Sequence, residues 1–240
     1  CQMCYQSDKT FTKKDYMGSM SFDLYKKIID QLVEGGTGAL TFGSRGEPLM
    51  NKEIIKCLSY AKNKFYELKL ITNASFLNEE ISHSILQNEV NLLTFSVDSH
   101  PKEKYEEIRK RGNFERVLKN ILTFLKIKKE HYPNSKTITR ISGVQVLDSQ
   151  NTNDFNKFWQ KIVDEVGIKP AYERWDTYFN EPTHEFKKPC SLLWERMYIW
   201  FDGKVNPCDS DYKSYLSYGD VTKDSIKDIW RSNTINKLRT

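Results

Sequence analysis

Four short apolar runs mark the first two thirds of the chain: 39–43 (ALTFG), 68–73 (LKLITN), 92–98 (LLTFSVD) and 138–147 (ITRISGVQVL). The best of them lack a clean in-out alternation, which is the pattern of parallel strands covered on both faces. A weaker run sits near 170–174. Helical spacing fills the gaps. Phe22, Tyr25, Ile28, Ile29, Leu32 and Val33 share one face, and Gly35-Gly36 closes that segment as a C-cap does. Ile54, Ile55, Leu58 and Ala61 predict a second helix, and Asn78-Glu79-Glu80 opens a third through Ile85 and Leu86. A fourth carries Phe114, Val117, Leu118, Ile121, Leu122 and Leu125. A fifth is predicted from Phe155, Phe158, Trp159, Ile162, Val163 and Val166. Strand–helix alternation predicts an α/β fold with a parallel sheet, either open or curled into a barrel.

The rhythm changes after about residue 175. Residues 175–189 are polar and aromatic without a period. Residues 197–201, the turn Asp202-Gly203 and Val205 then read as a small hairpin. Residues 225–239 read as a closing helix. A boundary near 180 therefore separates a main scaffold (1–180) from a small cysteine-bearing module (181–240). No internal repeat is visible.

At 240 residues the chain can bury a large core. Its net charge of +5 is spread over mixed-sign surfaces, with no basic block that calls for nucleic acid. No apolar run reaches membrane-spanning length. Five cysteines, an odd count in a long chain, argue against a disulfide-stapled secreted domain and for a reducing cytoplasm.

Candidate chemistry begins at the first residue. Cys1-Gln2-Met3-Cys4 opens the chain, and Cys190 and Cys208 follow late, with Gly203 between them. Soft thiolates at such spacing suit iron–sulfur clusters or zinc. A lone C-x-x-C also fits a redox pair, although the polar, loop-like stretch 5–19 does not supply the helix such a pair requires. Gly43-Ser44-Arg45-Gly46-Glu47-Pro48 follows a strand, at the mouth of a parallel sheet where ligands bind. There Glu47 can accept from an ammonium group or cap the next helix. Thr72-Asn73 and Ser96-x-Asp98 end strands, where they can meet ribose hydroxyls or serve as caps. Arg109 can pair with a carboxylate or remain a solvated charge. Cys57 reads as a small core hydrophobe. His100 reads as a loop histidine, and the four histidines form no ligand spacing. No Ser-His-Asp elbow or P-loop is present.

Together these stations resemble a radical S-adenosylmethionine (SAM) enzyme with a C-terminal SPASM or twitch module, over essentially the whole length. The resemblance implies a partial (β/α)6 TIM-like barrel lacking its first strand, plus a small α+β module. Cys1 and Cys4 are similar to the second and third ligands of C-x3-C-x2-C, which hold a [4Fe–4S] cluster. The first ligand is expected four positions upstream, so the chain reads as truncated at both ends and inactive by itself. Met3 stands where the family commonly has an aromatic residue against the adenine. Gly43, Ser44, Gly46, Glu47 and Pro48 resemble the GGEP segment that binds the SAM amino group. Thr72 and Asn73 resemble the TNG strand end, with Ala74 in place of glycine. Ser96 and Asp98 resemble the S-x-D-G strand end that meets the ribose, with Ser99 in place of glycine. Arg109 matches the arginine for the SAM carboxylate, and Ser142, Gly143 and Val144 match the strand beside the adenine. Cys190, Gly203 and Cys208 fit the SPASM opening C-x(9–15)-G-x4-C and imply at least one auxiliary iron–sulfur cluster.

The implied activity is reductive cleavage of SAM to a 5′-deoxyadenosyl radical that removes a hydrogen atom from a substrate. The electron comes from a donor such as flavodoxin or ferredoxin. The aromatic stretch 172–179 (YERWDTYF) permits a sugar or nucleotide-sugar; a peptide is equally compatible. Nucleic acid and membrane are not expected as partners. Two alternatives stay open: a structural zinc protein using Cys1, Cys4, Cys190 and Cys208, and a catalytically degenerate iron–sulfur scaffold.

Overall fold

The structure, a computed structural model, describes residues 4–7, 10–11, 16–171 and 190–240. Cys1, Met3 and the stretch 172–179 lie outside the described residues. Helix α1 (Phe22–Glu34) comes first, capped by Ser21, whose hydroxyl accepts from Leu24 N–H, and ended at Gly35. Five strands then alternate with helices: β1 (Ala39–Phe42), α2 (Ile54–Ala61), β2 (Glu67–Thr72), α3 (Glu79–Gln87), β3 (Leu92–Ser96), α4 (Lys102–Ile108), α5 (Phe114–His131), β4 (Ile138–Gln145), α6 (Thr152–Trp159) and β5 (Glu165–Pro170). Asn78, Asn113 and Asn151 cap α3, α5 and α6 through side-chain oxygens. The remaining elements are α7 (Leu192–Glu195), β6 (Tyr198–Ile199), β7 (Lys204–Asn206), β8 (Gly219–Asp220), α8 (Ile226–Trp230) and α9 (Asn233–Arg239).

The described residues of 37–171 form one compact unit, and those of 4–36 with 190–240 form another. In the first, β1 to β5 lie side by side in chain order, all parallel. This is the α/β arrangement that the strand–helix alternation predicts. Leu70, Leu93, Phe95 and Ile141 face the helices and are buried in one cluster with Leu58, Ile85, Val117, Phe124 and Trp159. The other face is polar: Thr94, Arg140 and Glu165 are successive lateral neighbours across β3, β4 and β5, as are Ser96, Ser142 and Gly167. A sheet with one apolar and one polar face leaves the second face for solvent or ligand.

The last strand lies earlier than the weak run near 170 predicts, and the fifth helix ends earlier too. Val166 belongs to β5, and Val163 follows the helix. The physical cause is the parallel ladder, which pairs six residues of β5 with β4. Asp164 pins its start by accepting from both the N–H and the hydroxyl of Thr139. The β-branched Val166 suits that ladder better than another helical turn.

The second unit carries the antiparallel sheet β6-β7-β8, the hairpin expected around Asp202-Gly203. Gly203 sits at φ +90°, and a Cβ there would lie 2.8 Å from Thr222 Cγ2. Val205, Val221, Ile229 and Ile235 pack with Ile28 of α1. Lys27 Nζ donates to Val221 O at 2.7 Å, and Gln31 Oε1 accepts from Ile226 N–H at 2.8 Å. The single closing helix expected over 225–239 is two helices, because Ser232 caps α9 by accepting from Ile235 N–H. The opening stretch is also less loop-like than its polarity predicts. Tyr5 and Phe11 are buried with Tyr212, their rings 5.1–5.2 Å apart.

Leu93, fully buried on the central strand β3, is expected to report on the first unit. Leu93→Ala should cost about 2–5 kcal/mol, read as a lower urea midpoint for loss of the first unit's structure with little change in the slope of its transition.

Candidate functional site

The candidate residues of the first unit gather at one edge, where the parallel strands end. After β1 the chain turns through Ser44 (φ +84°) and Gly46 (φ +89°). This left-handed backbone costs a non-glycine residue such as Ser44 some stability. The turn delivers Glu47 to the end of β2. One carboxylate oxygen accepts from Thr72 Oγ1 at 2.6 Å and from Leu49 N–H at 3.1 Å; the other accepts from Asn73 N–H at 2.7 Å. Glu47 therefore caps the turn that starts at Pro48, as the capping alternative holds, and also staples β1 to β2. Burial pushes its carboxyl above the ordinary value of 4.5, opposed by these hydrogen bonds and by the field of Arg109. A desolvated carboxylate with a raised pKa favours a cationic partner. Ala74, in place of the expected glycine, adopts φ +59°. Ser99 has no left-handed backbone, so nothing in its conformation requires glycine there.

At the ends of β3 and β4, Asp98 is almost fully buried, at 1% exposure. Its Oδ2 accepts from Arg109 Nε at 2.7 Å and its Oδ1 from Val144 N–H at 2.9 Å. Arg109 stands at the C-cap of α4. Val97 N–H donates to Ser142 O at 3.0 Å, which continues the β3–β4 ladder past Ser96. Gly143 makes this crossing possible: a Cβ there would lie 2.8 Å from Val97 O and 2.9 Å from Phe155 Cζ.

Gln150 is a residue that sequence reasoning missed. Its amide donates to Asp98 O at 2.8 Å and Val144 O at 3.0 Å. Its oxygen accepts from Val146 N–H at 2.5 Å and Leu147 N–H at 2.6 Å. Nothing in the local pattern distinguishes it from any other polar loop residue.

On the polar face, Arg140, Ser142, Glu165, Val166, Gly167 and Lys169 line a cavity of about 520 Å³. Arg140 and Glu165 form an ion pair within it. A cavity of this size accommodates a small ligand or part of a larger one. His100 stacks on Phe158 at 4.8 Å, and burial lowers its pKa; the loop reading of this residue fits.

The sequence-derived residues of the first unit thus assemble as one set: Gly43 to Pro48, Thr72-Asn73, Ser96, Asp98, Arg109 and Ser142 to Val144. The cysteines are placed differently. In the second unit, Cys4 packs, half-buried, on the Tyr5–Phe11 cluster. Cys190 is exposed just before α7, and Cys208 is half-buried just after β7. No disulfide joins the four described cysteines, and no group of three metal-ligating side chains occurs among the described residues. Burial pushes the Cys57 thiol up to about 11, which fits its reading as a core residue. Among the described residues no helix is long and apolar enough to cross a membrane.

Comparison with known proteins places this geometry. The family model described as "Radical SAM superfamily" matches residues 1–146, and that of an "Iron-sulfur cluster-binding domain" (SPASM) matches residues 190–240. A protein of Pyrococcus furiosus, "Tungsten-containing aldehyde ferredoxin oxidoreductase cofactor-modifying protein", is 24% identical, with 100% of this chain and 79% of the relative covered. Among solved structures, BtrN in complex with AdoMet and 2-DOIA superposes with TM-score 0.64 at 16% identity, covering 100% of this chain and 79% of that one. Streptococcus suis SuiB bound to precursor peptide SuiA gives TM-score 0.74 at 13% identity, over 93% of this chain and 61% of that one.

Two outcomes follow from the geometry. Because burial raises the Glu47 pKa, the folded state holds that proton more tightly than the unfolded chain does. Its contribution to stability is present below pH 4.5 and is lost as pH rises through the folded-state pKa. Subtracting the stability–pH curve of Glu47→Gln from that of the wild type, both without cofactors, should isolate this component. Gly143→Ala should cost about 1–3 kcal/mol through overpacking, measured as a lowered denaturation midpoint.

Proposed function

The chain belongs to the radical SAM superfamily and carries a SPASM iron–sulfur module, and from that premise we propose how its own residues hold SAM and present a substrate to it. Its cofactors are SAM and [4Fe–4S] clusters. When bound, these supply one electron to the sulfonium and, by cleavage of its carbon–sulfur bond, an abstractor of a substrate hydrogen atom.

The residues present fit these groups. Glu47, desolvated and with a raised pKa, suits the SAM ammonium, and the turn at Gly43, Ser44, Gly46 and Pro48 brings it there. Arg109, at the same edge, suits the SAM carboxylate while Asp98 holds its Nε. Thr72 and Asn73 orient Glu47. Ser96, Asp98, Ser142, Gly143 and Val144 form the crevice for the nucleoside. In the second unit, Cys4 lies against an apolar aromatic shell, a setting that excludes water from a thiolate-held cluster. Cys1 joins it as a ligand and Met3 as an adenine contact, on the family resemblance. Cys190 and Cys208 are thiols of the type an auxiliary cluster needs. A zinc site built from all four thiols loses ground, because the model that matches residues 190–240 is described as an iron–sulfur cluster-binding domain.

The substrate sits, in this reading, over the polar face of the sheet, where the cavity of about 520 Å³ opens beside Ser142. Its ion pair and Lys169 suit a polar small molecule or a peptide segment. Relatives differ here, one described as modifying a cofactor and another bound to a precursor peptide. The reaction is oxidative or maturase-type hydrogen abstraction, fed by a flavodoxin- or ferredoxin-like donor in the cytoplasm.

The observation that carries this reading is the placement of Glu47 and Arg109 at the same edge of the sheet, Glu47 bonded to the end of β2 and Arg109 to Asp98 just past the end of β3. The test uses full-length protein loaded anaerobically with iron and sulfide. Under reduction it should convert SAM to equal amounts of methionine and 5′-deoxyadenosine. Cys4→Ala should bring this to background and lower bound iron, whereas Cys208→Ala should lower iron and leave the SAM-binding cluster spectrum in place. Loaded wild-type protein that never releases 5′-deoxyadenosine would sink the reading and favour a non-catalytic scaffold.

A further inference from the structure

We propose that Gln150 is a positioning residue for the nucleoside half of SAM. The inference rests on the reading above, in which the nucleoside lies at the ends of β3 and β4.

Two strand-end junctions, β1–β2 and β3–β4, are each tied by one polar side chain. Between β1 and β2 it is Glu47, bonded to Thr72, Asn73 and Leu49. Between β3 and β4 it is Gln150, only 7% exposed. A carboxamide has two donor hydrogens and two acceptor lone pairs, and Gln150 uses all four. The donors reach carbonyls at the end of each strand, Asp98 O and Val144 O, at 2.8 and 3.0 Å. The acceptors take Val146 and Leu147 N–H at 2.5 and 2.6 Å. The amide orientation is thereby fixed, since a flip would set its NH2 against two N–H groups.

The bond set spans the places where the chain leaves the ladder. Asp98 holds Val144 through its carboxylate, and Gln150 holds the backbone of both Asp98 and Val144. Residues 98 and 144 therefore cannot separate without leaving buried polar groups unpaired, which is costly in a low-dielectric setting. Ser96, Ser142 and Gly143, the nucleoside contacts, sit directly N-terminal to this tie. Glu47 shares none of these bonds, and Arg109 is held by the Asp98 side chain, whereas Gln150 grips the Asp98 backbone carbonyl. Changes at Gln150 should therefore fall mainly on the adenosine half.

The test measures equilibrium binding of three probes to loaded full-length protein: SAM, 5′-deoxyadenosine and L-methionine. Gln150→Leu, close in size but without polar atoms, should weaken SAM and 5′-deoxyadenosine about tenfold or more, as unmade buried hydrogen bonds do, and leave methionine within about twofold. Gln150→Glu retains the two acceptor bonds and sets a carboxylate oxygen against two carbonyls, so it should show the same selective loss. If Gln150→Leu does not fold, Gln150→Glu alone decides. Equal loss of methionine and 5′-deoxyadenosine, or unchanged binding of both, overturns the inference. Wild-type protein that binds neither SAM nor 5′-deoxyadenosine overturns the proposed function instead.

Discussion

The candidate site depends on the buried carboxylate of Asp98. At 1% exposure its oxygens cannot go unpartnered without a large desolvation cost. Its partners, Arg109 Nε and Val144 N–H, come from two different segments. One side chain therefore fixes an arginine at the end of α4 and the exit of β4 relative to β3. Removing a partner from such a pair leaves a buried charge uncompensated, so the arrangement holds together or fails together. The expectation that Asp98 meets ribose directly gains a second aspect, because both carboxylate oxygens already serve the protein.

Glu47 organises the neighbouring crevice by related means with a different electrostatic result. Its hydrogen bonds favour the charged form, yet burial outweighs them and the carboxyl stays above its ordinary pKa. The group is held in place and left short of positive charge. Asp98 has a guanidinium bonded to it, whereas Arg109 reaches Glu47 only through its field. In the proposed function this asymmetry leaves Glu47 to receive the SAM ammonium, with Asp98 as a brace.

Much of this was legible in the residues. Apolar runs located four of the five parallel strands, but the cover on both faces that such runs predict is not what the structure has: helices bury one face, and Thr94, Arg140 and Glu165 are neighbours on the other. Asn78 marked the start of α3. The strand-end residues Glu47, Thr72, Ser96, Asp98, Arg109 and Ser142 were candidates before any contact was known. The misses have physical causes. Helical spacing in 155–166 concealed β5, since Val163 and Val166 satisfy both periods and the pairing with β4 decides between them. Tyr5 and Phe11 looked like part of a polar loop because their partner, Tyr212, lies two hundred residues away.

By itself, the sequence determined the order of strands and helices, the chemistry gathered at the strand ends and the family. Those features are written in local periodicity, caps and short motifs. Only the tertiary structure decided that Asp98 bonds an arginine while Glu47 bonds the end of β2, and that the amide of Gln150 joins two strand ends. A glutamine in a loop carries no local signature, and its role exists only once two strand ends present four backbone groups within reach of one amide.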